Sequence, residues 1–116
     1  MKPRMYFNSA TRFWDTTVAS PTMGYPLTLP NLDGIEFAVV RPINDTKTWQ
    51  VIHVRSGLRC MYRRHSEKTQ KAAKLSCMAE LEHYGKKMGW EKMVRRLKRK
   101  RTSCIVDALA QLKAVP

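Results

Sequence analysis

Alternation of apolar and polar positions in the middle of the chain predicts three β-strands. Residues 35–42 (IEFAVVRP) are rich in β-branched and aromatic side chains and end at a proline. Residues 48–55 (TWQVIHVR) and 58–64 (LRCMYRR) follow, and Ser56 and Gly57 between them suit a tight hairpin. Consecutive strands joined by short turns predict an antiparallel meander of three strands over residues 35–64.

The same alternation assigns the side chains to two faces of the sheet. Ile52 and Val54 point to an apolar face. The opposite face carries Trp49, Val51, His53 and Arg55 and has neither Asp nor Glu. A charged sheet face often serves solubility alone. Arginine together with tryptophan favours a binding surface instead, so this face is expected to be exposed.

Helical spacing replaces the alternation after residue 65 and predicts a helix over residues 66–84. Ser66 is a suitable N-cap, because its hydroxyl can accept a hydrogen bond from an N–H of the first turn. Gly85 suits the end of the helix. One stripe of this helix is apolar and comprises Ala73, Cys77, Leu81 and Tyr84.

Residues 90–101 (WEKMVRRLKRKR) predict a second helix with two contrasting faces. The apolar residues recur at helical spacing and share one face, and they are Trp90, Met93, Val94 and Leu97. Most of the remaining positions are cationic, namely Arg95, Arg96, Lys98, Arg99, Lys100 and Arg101. Such a helix packs its stripe on a core and holds its cations in water.

A C-terminal helix is expected over residues 103–113. The apolar spacing of the basic helix can be continued through it, so one long helix over residues 90–113 is an alternative. Equally, Thr102 or Ser103 can cap a separate final helix. A break is favoured, because Arg101 interrupts the apolar stripe at the capping residues.

Residues 1–34 lack a regular pattern and are expected to form an extended aromatic arm. Their prolines and glycines, Pro21, Pro26, Pro30, Gly24 and Gly34, are expected to break any helix or long strand. The segment is nevertheless too apolar for a solvated linker. Its aromatic side chains, which include Tyr6, Phe7, Phe13, Trp14 and Tyr25, are expected to pack across the domain, and a docking surface for a partner is the alternative.

Together these elements predict an α+β fold. A three-stranded antiparallel meander packs on a helix and is followed by one or two C-terminal helices. Residues 35–116 are expected to form a single small basic domain, because 116 residues are most simply one domain with a modest core.

The position of the charge narrows the choice of partner. The net charge is +13, and all of the excess lies in residues 41–101, where 18 basic residues face five acidic ones. Hydrophobic residues make up 43% of the chain, which argues against wholesale disorder. A basic domain with a neutral extension at each end favours a phosphate-bearing partner.

The cysteines indicate the redox compartment, and the length of the apolar runs indicates whether the chain can span a membrane. The three cysteines form no CxxC pair, which favours free thiols in a reducing compartment. No apolar run approaches the roughly 18 residues that a membrane span needs, and no signal-peptide segment is recognisable. A cytoplasmic or nucleoid-associated protein without a membrane partner is therefore expected.

Catalysis has little support. The five glycines form no phosphate-binding loop, and Glu80 and Glu82 lie on nearly opposite sides of a helix. A zinc site is suggested by two cysteines and two histidines, but the spacing of Cys60, His65, Cys77 and His83 does not suit one. We expect neither an enzyme nor a metal or other cofactor.

The order of strand, strand, hairpin, strand and helix resembles a known DNA-binding domain, found at the N-terminus of phage integrases and in plant AP2 factors. The matching text is FAVVRP, TWQVIHVRSGLRCMYRR and EKTQKAAKLSCMAELEHYG, within residues 35–85. The resemblance implies a sheet that enters the major groove, with base contacts from Arg55, Arg59 and Arg63 and support from Trp49. It also implies a phage or mobile-element source.

The sequence therefore predicts a non-catalytic nucleic-acid-binding protein, with DNA favoured over RNA. The basic helix is expected to contact phosphates, and the sheet face to orient the nucleic acid or contact bases. The expected binding residues are Arg41, Trp49, Arg55, Arg59, Arg63, Arg95, Arg96, Lys98, Arg99, Lys100 and Arg101.

Two other functions remain open. One is a small inhibitor or adaptor that docks on an acidic surface, or in the nucleic-acid channel, of a host nucleoprotein machine. The other is recognition of a membrane surface, or of a calmodulin-like protein, by the basic helix alone.

Overall fold

The described residues of the chain form five antiparallel strands and three helices. The structure is a computed structural model and describes residues 2–11, 17–42, 47–63, 66–101 and 103–114. The strands are β1 (Arg4–Thr11), β2 (Thr17–Leu27), β3 (Phe37–Val40), β4 (Gln50–His53) and β5 (Leu58–Arg59). The helices are α1 (Gln70–Met88), α2 (Trp90–Arg99) and α3 (Ser103–Ala114). The expected α+β class and antiparallel meander are confirmed, but three strands is too few.

The two additional strands come from the residues expected to form an extended arm. β1 pairs with β2 over residues 17–24, and β3 pairs with β2 over residues 24–27. Pro21 and Pro26 therefore lie where β2 has one paired neighbour, so a missing N–H can face the unpaired side. The expectation that prolines exclude a long strand here is wrong for this reason. Phe13 and Trp14 lie outside the described residues.

The sheet runs in the order β1-β2-β3-β4-β5 and curls until β1 reaches the β4–β5 turn. The Ser9 N–H donates to the Gly57 carbonyl at 2.7 Å, and the Ser9 hydroxyl donates to the Ser56 carbonyl at 2.8 Å. Gly57 has a φ of +69°, and an added Cβ would lie 2.6 Å from Ser9 Oγ and 2.7 Å from Ile105 Cδ1. The turn thus requires glycine where β1 and α3 meet it.

The concave side of the curled sheet holds a small core with a polar pair. Ala38, Val40 and Ile52 are buried there. The Asn8 side-chain amide donates to Gln50 Oε1 at 2.5 Å, from β1 to the non-adjacent strand β4. Because both amides are buried, this bond satisfies polar groups that would otherwise be costly to desolvate.

The other side of β3 and β4 is covered by helices. Val51 and Phe37 form one cluster with the α1 residues Cys77 and Leu81 and with Met93 of α2. The expected exposed face is therefore absent, since Val51 is 0% exposed and His53 is 4% exposed. Strand alternation identified the two faces correctly, but it could not show that α1 and α2 cover the second one.

Helix α1 begins four residues later than expected and ends four residues later. The Thr69 hydroxyl, not that of Ser66, caps it by accepting from the Ala72 N–H at 3.0 Å. The preceding backbone is extended, because Glu67 exchanges two hydrogen bonds with Trp49 of 2.7 and 2.8 Å. Helix α1 continues through Gly85 and ends at Gly89, whose φ is +91°.

Helices α2 and α3 are separate, as favoured from the sequence. Helix α2 ends at Arg99 because Lys100 adopts an extended conformation, with φ −66° and ψ 122°. Thr102, one of the two expected capping residues, lies outside the described residues. Within the described part of the chain, no helix combines the length and apolar character needed to cross a membrane.

Candidate nucleic-acid interface

Helix α2 presents its cations to solvent from a firmly packed base. Met93 is 3% exposed, and Val94 and Leu97 pack against the same core, whereas Trp90 is 43% exposed and lies over Gly85. The cations of residues 95–101, at the end of α2 and just beyond it, are all exposed, and we name them together the basic ridge: Arg95, Arg96, Lys98, Arg99, Lys100 and Arg101. The C-terminal end of a helix favours such cations through its dipole.

His53 lies buried beneath the end of α2. Its Nδ1 and the Ser56 hydroxyl are 2.7 Å apart, and its ring meets Phe37 edge-on at 5.8 Å. Burial lowers the pKa of His53, and the charges of Lys100 and Arg55 lower it further, against a hydrogen bond to the Leu97 carbonyl.

Two different elements therefore place cations around this one ring. Lys100 follows α2, and Arg55 lies in the turn between β4 and β5. Both charges lower the pKa of His53, and both Arg55 and Lys100 are exposed.

Arg41 and Trp49 form a stacked pair. The Arg41 guanidinium carbon lies 3.7 Å from the centre of the Trp49 ring, and its Nη1 donates to the Thr48 carbonyl at 3.3 Å. The half-buried Trp49 ring is also 6.2 Å from the Tyr25 ring and packs against the core. The Trp49 ring thus contacts Arg41, Tyr25 and the core, and it orients Arg41 through a cation–π contact.

The three arginines that the resemblance assigns to base contacts do not share one strand. All three are exposed, but Arg55 lies in a turn, Arg59 ends β5, and Arg63 lies beyond it with a φ of +59°. The third strand was expected over residues 58–64 and covers only Leu58–Arg59. Since the backbone turns after β5, these arginines form no single row for a groove.

Sequence reasoning missed a group of aromatic rings beside α1. The Tyr62 ring lies 5.6 Å from the His83 ring, which in turn lies 5.7 Å from the Tyr84 ring. Tyr62 had been placed on a strand face, so no pattern connected it with residues 21 positions away. Only the packing of residues 60–63 on α1 brings these rings together.

The residues considered for zinc are only partly brought together. A hydrogen bond with Cys60, together with burial, raises the pKa of the Cys77 thiol. The His83 ring packs on Tyr62 instead, and His65 lies outside the described residues. Among the described residues, no group of three or more His, Cys, Asp or Glu side chains is placed to hold a metal ion.

Charge is segregated between the two halves of the molecule. Helices α1 and α2, which pack together, carry nine basic and three acidic residues. Strands β1 and β2 and helix α3, which also pack together, carry two basic residues and one acidic residue. Two segments that are neutral in sequence thus form one nearly neutral side, and the basic elements form the other.

We found no family model, no curated protein and no solved structure that matches this chain. The resemblance to the integrase and AP2 domains stays a prediction.

Proposed function

We propose that this chain is a non-catalytic nucleic-acid-binding protein whose basic ridge captures the phosphate backbone. One observation carries the proposal: the six cations of residues 95–101 are all exposed, with no acidic residue among them, on a segment anchored by a buried apolar stripe. A solvated helix face usually mixes both signs of charge. A group of exposed cations without any acidic residue between them supports binding to a polyanion.

The ridge supplies contacts that position nucleic acid without reading its sequence. Arginine guanidinium groups donate two hydrogen bonds to one phosphate, and lysines act as point charges. Arg55 is the candidate for a further contact with the same ligand, because it is exposed and its charge acts on the same His53 ring as that of Lys100. We propose duplex DNA as the ligand, with Arg55 and Arg59 offering contacts that depend on sequence.

The buried stripe argues against the membrane-surface and calmodulin-like alternatives. Both modes require the apolar face of a basic helix to enter lipid or a hydrophobic groove. Met93, Val94 and Leu97 already pack on the core, so only the cationic face is available without unfolding.

Charge removal at matched sites tests the proposal. Substituting Arg95, Arg96, Lys98 and Arg99 by Gln should lower the affinity for a 20-base-pair duplex at least about a hundredfold at about 0.1 M salt, because four phosphate contacts are lost. The control substitutes the exposed Lys68, Lys71, Lys86 and Lys87 by Gln and removes the same charge. For this control variant, fluorescence anisotropy should show that the affinity for the duplex falls by less than about tenfold. Equal losses would mean that net charge, not the ridge, governs binding.

A second candidate, an adaptor that docks on another protein, is favoured by the nearly neutral side. Met5 and Met23 are cross-strand partners there, and both are exposed. Exposed apolar pairs of this kind suit protein contacts. A partner from a host extract that remains bound after nuclease treatment, and is lost on Met5→Ser with Met23→Ser, would favour the adaptor.

A further inference from the structure

An open groove of about 430 Å³ runs between α1 and the segment that follows β5. Ala72, Leu75 and Ala79 of α1 supply an apolar wall, and Leu75 is 56% exposed. Tyr62 and Arg63 supply the facing wall, together with Glu67. The groove thus combines an apolar surface, an aromatic ring, a cation and a carboxylate.

Tyr62 is held in place before any ligand binds. Its backbone N–H donates to the Ser76 hydroxyl of α1 at 2.9 Å. The centre of its ring lies 5.6 Å from the centre of the His83 ring, with an angle of 49° between the ring planes. An aromatic side chain fixed from both its backbone and its ring loses little conformational entropy on contact with a ligand.

Arg63 adopts a conformation that non-glycine residues seldom use. Its φ of +59° turns the backbone so that the guanidinium carbon lies 4.9 Å above the Tyr62 ring. The guanidinium therefore lies over one face of the Tyr62 ring, while Arg63 itself remains exposed. Unusual backbone geometry of this kind is found preferentially at ligand sites.

We propose that this groove takes an unpaired nucleobase, which stacks on the pair formed by the Tyr62 ring and the Arg63 guanidinium. The inference rests on the proposed function and adds a class of ligand, a looped or single-stranded segment. Every base has a flat face that suits an aromatic ring and an apolar wall.

The test compares two DNA ligands and two tyrosine variants. One ligand is a 20-base-pair duplex, and the other carries four unpaired thymidines at its centre. The wild-type protein should bind the looped ligand about tenfold more tightly or better. Tyr62→Leu should abolish that preference and leave duplex affinity unchanged. Tyr84→Leu is the matched control, because its ring also contacts His83 but does not line the groove, and it should keep the preference.

A second measurement does not depend on the variant being folded. The central thymidines are replaced by 5-iodouridine, and the wild-type complex is irradiated and digested. The crosslinked peptide should contain Tyr62, and a crosslink confined to other peptides would overturn the inference. Equal affinity of the wild type for both ligands would also overturn it and leave the proposed function standing. No binding to either ligand would overturn both.

Discussion

His53 connects the basic ridge with the interior of the fold. The ring is packed on Phe37 and paired with Ser56, and Lys100 and Arg55 raise the positive potential around it. A proton on this imidazole would be buried beside two other cations. Burial and these two charges therefore lower the pKa of His53 and favour its neutral form.

This arrangement predicts a loss of stability in mild acid. The folded-state pKa of His53 is lowered, so the unfolded chain binds the proton first as the pH falls. The contribution is fully present above about pH 6.5, the ordinary histidine value, and is lost as the pH falls towards the folded-state pKa. Urea unfolding between pH 8 and pH 5 should show this decline, with a slope of at most about 1.4 kcal/mol per pH unit.

The His53→Gln variant is the control for that measurement. It lacks the titrating group, so its free energy of unfolding should decline less steeply between pH 7 and pH 5 than that of the wild type. An identical slope in both proteins would show that His53 is not the group responsible.

Individual residues were predictable where their chemistry alone decides the outcome. Arg95 and Lys98 are exposed as expected, since a charged head stays in water. Trp49 and His53 were expected on an open face and are half-buried and buried. Alternation along a strand separates two faces but carries no information about which helix covers one of them.

Elements were predictable where the spacing was regular over several turns or strand positions. Helix α2 begins at the expected residue and ends two residues early, and the break before α3 is confirmed. Strand β2 was missed because Pro21, Gly24 and Pro26 predict interruption. Gly24 lies where β2 changes partner, and an added Cβ there would meet Val40 Cγ1 at 2.6 Å.

The start of α1 offers a test of this local account. The Thr69 hydroxyl accepts from the Ala72 N–H at 3.0 Å, so Thr69→Ala should lower the free energy of unfolding by about 1 kcal/mol. Ser66→Ala, at the position favoured by the sequence pattern, should lower it by less than about 0.5 kcal/mol. Chemical denaturation of the two variants measures the difference. A larger effect at Ser66 would place the helix start where the sequence alone predicted it.

The whole molecule has a basic half and a nearly neutral half. The sum of charges in each segment was readable from the sequence. The joining of β1, β2 and α3 into one side was not, because residues 1–34 and 103–113 are far apart in the chain and their contacts are long-range. This separation makes the basic side the more favourable one for a polyanion.

The central claim is that the basic ridge binds phosphates, and the salt dependence of DNA binding tests it most directly. The logarithm of the association constant for a 20-base-pair duplex should fall linearly with the logarithm of the salt concentration, by about 0.9 for each phosphate contacted. For the wild type we predict a slope of about −4 to −6. For the variant with Arg95, Arg96, Lys98 and Arg99 changed to Gln, the slope should be shallower by about 3 to 4. A wild-type slope near zero, or the same slope in both proteins, would contradict the account.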